Sequence, residues 1–155
     1  MKIVFIGASH FGLRCLKEMI LLPCCEVVGA VTLPRTFSIS NRPQVFTNIL
    51  YADIKSFCDA KDINCFVMAK EMKEPGLLEQ VQALSPDIFI VVGWCNMVPK
   101  SWRELAPAYG IHASLLPDYS GGAPLVWAII NGETKTGASL FEFSGGVDSG
   151  PIVGQ

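Results

Sequence analysis

The chain has 155 residues, 12 basic and 14 acidic side chains, a net charge of -2, and half of its residues apolar. That length suits one domain with a core large enough to need no staples. The charge balance excludes a broad basic footprint for nucleic acid, and the apolar richness excludes a disordered chain.

The six cysteines do not read as a disulfide framework. Cys15, Cys58, Cys65 and Cys95 sit in apolar segments, and Cys24 and Cys25 are adjacent. No CxxC pair is present and there are only two histidines, so no metal site is expected. The segment after Met1 lacks the n-region and h-region of a secretory leader. No apolar run approaches the ~18 residues of a membrane span. Reduced thiols in a cytoplasmic protein, with no membrane partner, are the expectation.

Lys2 to Ile6 is a short apolar run ending at Gly7, which predicts a buried strand. Ala8-Ser9-His10 is a turn, and Phe11, Cys15, Leu16, Met19 and Ile20 recur at helical spacing until Pro23. Val27 to Val31 predicts a second strand, at a distance that suits a right-handed βαβ unit. Leu33 to Pro43 reads as a loop. From Gln44 to Ala60, Phe46, Ile49, Leu50, Ile54 and Phe57 mark one face of a predicted helix. Ile63 to Val67 predicts a third strand. A helix from Pro75 carries Leu77, Leu78, Val81 and Leu84 and stops at Ser85-Pro86. Asp87 to Gly93 predicts a buried strand whose glycine end resembles the carboxyl edge of a parallel sheet, where ligands bind.

Beyond Gly93 the texture changes. Trp94 to Pro99 predicts a loop, Pro99 to Leu105 a short helix, and Tyr109 to Ile111 a brief strand. His112 to Pro124 is a long loop punctuated by proline and glycine. Leu125 to Ile130 predicts a helix closed by Asn131-Gly132. Thr136 to Phe143 predicts a strand, Ser144 to Gly150 a glycine-rich loop, and Pro151 to Val153 the start of another strand. The expected class is α/β: a Rossmann-like, mostly parallel sheet flanked by helices. Residues 1–155 form one domain, expected to be incomplete at its C-terminus because the chain stops at Gln155 in mid-strand.

Gly7-Ala8-Ser9-His10-Phe11-Gly12 follows a strand and opens a helix, but Ser9 stands where a dinucleotide fingerprint needs its second glycine. Val31-Thr32-Leu33 supplies no ribose-binding acid. A tight βα turn is the plainer reading. His10 reads as a helix-start residue. His112 follows a strand end and opens a glycine-rich loop, so it is either a core histidine or a substrate-contacting one. Asp148, 36 positions on, lies between glycines. It is either a turn-forming Asx residue or the carboxylate partner of an imidazole that moves protons. Ser114 has no nucleophile elbow around it and reads as a loop-bonding hydroxyl. Trp94 and Trp127 are either core or the wall of a flat ligand site.

His112-Ala113-Ser114-Leu115-Leu116-Pro117-Asp118-Tyr119-Ser120-Gly121-Gly122-Ala123-Pro124 resembles the H-x-S-L-L-P-x-[YW]-x-G-x-x-P signature of the folate-dependent formyltransferases. Asn131-Gly132-Glu133 with Thr136-Gly137, and Val147-Asp148-Ser149-Gly150-Pro151-Ile152, are similar to further motifs of that family in the same order. The resemblance spans nearly the whole chain. It implies the N-terminal catalytic domain of the methionyl-tRNA, glycinamide ribonucleotide or sugar N-formyltransferase type, using 10-formyltetrahydrofolate as formyl donor and no metal. By resemblance, His112 is an oxyanion donor and proton carrier, and Asp148 orients its ring. Val91, Met97, Val98 and Ser144 hold the pterin, and Ser114 and Gly121 meet the substrate. The family's motif is N-x-H, whereas this chain reads Gly110-Ile111-His112. Glycine at the third catalytic position, 110, removes an amide donor whose loss typically costs ~10²–10³ in rate, and leaves a space that water can enter. Ser120 replaces a frequent basic residue.

Three functions follow as expectations. The first is formyl transfer to a primary amine of a small molecule such as an amino sugar, with no nucleic-acid partner. The second is hydrolysis of the same donor, with water as acceptor. The third is a noncatalytic folate- or nucleotide-binding domain. The sequence sets no oligomeric state.

Overall fold

Apolar residues run without a break from Ile3 to Ile6 in the first strand, and a strand sends alternate side chains to opposite faces, so both faces of the sheet must be covered. The computed structural model, which describes residues 1–39, 42–68 and 71–155, shows how. In β1 (Lys2–Ile6), Val4 and Ile6 join one cluster and Phe5 joins another. The first cluster contains Val31, Phe89 and Val91 and is closed by α3 (Leu77–Gln82) and α4 (Lys100–Leu105) through Leu77, Val81 and Trp102. The second contains Ala30 and Val92 and is closed by α1 (His10–Met19) and α2 (Ile54–Asp59) through Leu16, Ile54 and Cys58.

Strands β2 (Glu26–Thr32), β5 (Asn64–Val67), β6 (Ile88–Val91) and β7 (Ala108–His112) complete the parallel part. Two further strands, β8 (Ser139–Glu142) and β9 (Ile152–Gly154), add antiparallel to it. The seven-stranded order is β5-β2-β1-β6-β7-β8-β9. This is the expected mostly parallel sheet flanked by helices. The switch of direction at β7/β8 is the feature that matters for chemistry, because it returns the chain beside the end of β7.

The opening turn serves packing. Ser9 caps α1, accepting the Gly12 N–H at 3.1 Å. A Cβ at Gly12 would lie 2.8 Å from the Val92 carbonyl oxygen, so glycine lets the helix sit against the sheet. His10 is an exposed first helical residue, as expected of a helix start.

One expectation is corrected. Between Leu33 and Ala60 the chain does not run from loop to helix. β3 (Thr36–Ile39) pairs antiparallel with β4 (Arg42–Thr47) as a separate two-stranded sheet, and only Ile54–Asp59 is helical. The reason lies partly in Asn48. Its side chain donates to the Ala8 carbonyl and accepts the Leu50 N–H, both at 3.0 Å, which holds a turn where the helix was expected. Asp53 then starts α2 by accepting from Ser56 N–H at 3.0 Å. Ser40 and Asn41 of the expected loop lie outside the described residues.

All six cysteines are free thiols. Among the described residues no helix is long and apolar enough to cross a membrane. α5 (Pro124–Ile130) buries only Ala128 and exposes Leu125, Val126, Trp127, Ile129 and Ile130. Trp127 is thus a surface residue here, and Trp94 packs half-buried against the first cluster.

Trp102 is fully buried, lies 5.5 Å from the Phe89 ring and donates its indole N–H to the Met72 carbonyl at 2.9 Å. Trp102→Ala removes packing and hydrogen bond together and should cost about 3–5 kcal/mol. A fall in urea midpoint at unchanged slope checks it.

Candidate functional site

His112 ends β7, and Gly110 and His112 face the same side of that strand, two residues apart. Cross-strand partners on β8 are Phe141 opposite Gly110 and Ser139 opposite His112. Ser139 is fully buried and works as a clamp. Its hydroxyl donates to the Ser114 carbonyl at 2.7 Å and accepts the Leu116 N–H at 3.0 Å. Gln155 Nε2 donates both to the Ser139 hydroxyl and to the Leu116 carbonyl, each at 2.9 Å. Ser114 itself is 1% exposed and donates its hydroxyl to the Asp118 carbonyl at 2.6 Å. The loop leaving His112 is thereby pinned before it reaches Tyr119.

Tyr119 carries the next restraint. Its backbone is left-handed, with φ 54°, and its carbonyl oxygen accepts from His112 Nε2 at 2.8 Å. Its phenol donates to Glu133 at 2.6 Å and accepts from Asn131 at 3.2 Å. The Glu133 carboxylate holds the phenol's proton and pushes Tyr119 above the ordinary tyrosine range. The turn after α5 therefore fixes the loop that holds the imidazole.

Asp148 arrives from the loop after β8, also with a left-handed backbone at φ 45°. Its Oδ2 lies 3.4 Å from His112 Nδ1 and accepts the Gly121 N–H at 2.8 Å. Gly121, at φ 95°, occupies a conformation that glycine tolerates best. The two side chains are 11% and 16% exposed, dry enough to strengthen their attraction and open enough to be reached. Both ring nitrogens face groups that can only accept. A proton on either ring nitrogen therefore points at an acceptor.

The structure brings His112, Asp148, Gly110 and Gly121 to one place. Asp148 faces the ring as an ion-pair contact, while the ring's hydrogen bond is to the Tyr119 carbonyl. Sequence reasoning missed that group because a backbone oxygen carries no residue signature. It also missed an aromatic pair. The Phe141 ring meets His112 edge-on, 6.4 Å between centroids at 87°, and lies tilted by 35° against Phe143, 4.9 Å between centroids. A Cβ at position 110 would overlap Cε2 of Phe143, lie 3.0 Å from its Cζ and 3.3 Å from the Val91 carbonyl oxygen. The space beside Gly110, expected to admit water, is filled by the Phe143 ring.

Of the remaining expected residues, Val91 and Val98 are buried in the first cluster while Met97 is 54% exposed. Ser144 and Ser149 share a hydrogen bond at 2.9 Å. The indole N–H of Trp94 is buried with no acceptor among the described residues. No group of three or more metal-ligating side chains occurs among the described residues.

Comparison with known proteins gives the family. The chain matches the model described as "Formyl transferase" over residues 1–155. It is 34% identical over 156 residues to a methionyl-tRNA formyltransferase of Alkaliphilus oremlandii, covering 99% of this chain and 48% of that protein. A methionyl-tRNA formyltransferase of Trichlorobacter lovleyi is 41% identical, covering 98% and 46%. The chain thus spans about half the length of the curated relatives it matches. Among solved structures, a phosphoribosylglycinamide formyltransferase from Bacillus halodurans superposes with TM-score 0.74 at 20% identity, covering 100% of this chain and 78% of that one. A formyltetrahydrofolate deformylase from Pseudomonas syringae gives TM-score 0.74 at 19%, covering 98% and 48%. These two likenesses are of fold.

Ser139→Ala leaves the buried Leu116 N–H and Ser114 carbonyl without the hydroxyl they share. It should cost about 1–3 kcal/mol, read as a lowered melting temperature. Ser139→Cys, retaining a weak donor in similar volume, should lose less.

Proposed function

Because the chain belongs to the formyl transferase family, we propose that it moves a formyl group from 10-formyltetrahydrofolate to a primary amine of a small acceptor, such as an amino sugar. The observation that carries this reading is the convergence of His112 and Asp148, 36 positions apart in sequence, to a 3.4 Å contact at one strand end.

The donor supplies an electrophilic formyl carbon. Met97, the backbone from Gly93 to Val98, and Ser144 with its exposed glycine neighbours offer an apolar surface and main-chain groups suited to a flat heterocycle. Val91 and Val98, being buried, would contribute backbone rather than side-chain contact. The unaccepted indole N–H of Trp94 in the same loop supports a segment whose hydrogen bonding is not complete in isolation.

His112 holds a ring proton toward each neighbouring acceptor when fully protonated. Donation to an oxyanion uses one of those N–H groups in place of its present acceptor. Asp148 balances the charge of the ring at that moment and keeps Nδ1 as its proton-bearing side. Gly121 holds the carboxylate in turn. Ser114 serves this site by fixing the loop through Asp118, and Gly121 stands where an acceptor would approach.

The test is release of tetrahydrofolate from 10-formyltetrahydrofolate, with and without a panel of amines that includes an amino sugar, glycinamide ribonucleotide and methionyl-tRNA. Release dependent on a small amine is the expected result. Release with methionyl-tRNA alone would replace the small acceptor by the one the curated relatives are named for. Equal release without any amine would make water the acceptor. His112→Ala should lower release about 10²–10⁴-fold while leaving folate binding intact by fluorescence titration. Undiminished turnover would remove His112 from its role.

A further inference from the structure

Position 110 and position 143 are spatial complements. Gly110 is buried in β7 with no room for a Cβ, because Phe143 lies across it. Phe143 is held there by its tilted 4.9 Å contact with Phe141, and Phe141 in turn meets His112 edge-on. Phe143 also packs against the first core cluster. An aromatic wall therefore begins beside the reacting imidazole and continues into the core.

We infer that Phe143, seated in the side-chain space of Gly110, is the residue that sets the partition between amine and water as formyl acceptor at His112. This rests on the formyl-transfer reading above. Two reactions compete for the same electrophile. Attack by an amine breaks the folate C–N bond, gives a formamide and tetrahydrofolate, and passes the amine's proton to the leaving nitrogen. Attack by water breaks the same bond and gives formate and tetrahydrofolate. Water needs a seat with polar partners and about one water's volume. The region that an absent side chain at 110 would leave is bounded by the Val91 carbonyl and lies on the same strand face as His112. Empty, it would offer room beside that carbonyl as a polar partner. The Phe143 ring takes the volume, so a nucleophile has to come from the open side of the imidazole, where a larger amine can be held.

The arrangement also explains why an amide placed at 110 is not a simple gain. Gly110→Asn has to displace an aromatic ring that is anchored on two sides. It should lower activity on its own, and recover some of it only together with Phe143→Ala.

The experiment compares wild type, Phe143→Leu and Phe143→Ala. Amine-dependent and amine-independent release of tetrahydrofolate are measured side by side with the amine the wild type uses. Phe143→Ala should raise the share of amine-independent release about tenfold or more, the scale on which apolar walls discriminate. Phe143→Leu, which keeps an apolar filler, should shift it far less. A purely structural role would lower both rates together, and an unchanged ratio in Phe143→Ala overturns the inference. A thermal double-mutant cycle reads the packing without any turnover. Gly110→Ala should lower the melting temperature strongly alone and weakly in the Phe143→Ala background. Equal losses in both backgrounds would show that the ring is not what fills the space, and would also overturn it. A wild type that releases no tetrahydrofolate under any condition fails the formyl-transfer reading itself, and the partition with it, while the thermal cycle still reports on the wall.

Discussion

The imidazole of His112 is held by acceptors from two loops that are distant in sequence, and the rest of the structure is arranged around keeping them there. One acceptor is the Tyr119 carbonyl at 2.8 Å, the other the Asp148 carboxylate at 3.4 Å. A parallel sheet alone would carry the chain away from the end of β7 through a crossover. The antiparallel return of β8 instead delivers the Asp148 loop beside that end. The buried Ser139 hydroxyl, opposite His112 on β8, ties the outgoing loop to the returning strand. Strand direction, a buried hydroxyl and a histidine thus belong to one device.

The parallel half of the fold was legible because its strands announce themselves. Ile88 to Val91 and Lys2 to Ile6 are apolar on both faces, which only a sheet covered twice requires. The stretch before α2 was not legible. Phe46, Ile49 and Leu50 mimic a helical stripe, yet Ile49 and Leu50 are exposed and Asn48 spends its side chain on turn contacts. Periodicity counts apolar positions and does not count a side chain that hydrogen-bonds backbone 40 residues away.

The candidate site divides along the same line. His112 and Asp148 are side chains in recognisable motifs, and it was the family resemblance that paired them. The Tyr119 carbonyl and the Gly121 N–H are main-chain groups, which any residue could supply. Phe143 was invisible for another reason. An aromatic residue in an alternating strand reads as core, and only the fold shows that it completes a glycine on the neighbouring strand. At position 110 the room a side chain would need is taken by the Phe143 ring.

Two residues of this device, Tyr119 and Asp148, hold left-handed backbones without being glycine. Such conformations commonly cost of order 1 kcal/mol or more and persist where surroundings over-determine them. Folding by itself would favour glycine at both positions. Replacing the aspartate that way would relax the loop while deleting the carboxylate. Laboratory selection for heat resistance alone would accordingly press codon 148 toward glycine, and with it toward losing the carboxylate that accepts the Gly121 N–H and faces His112.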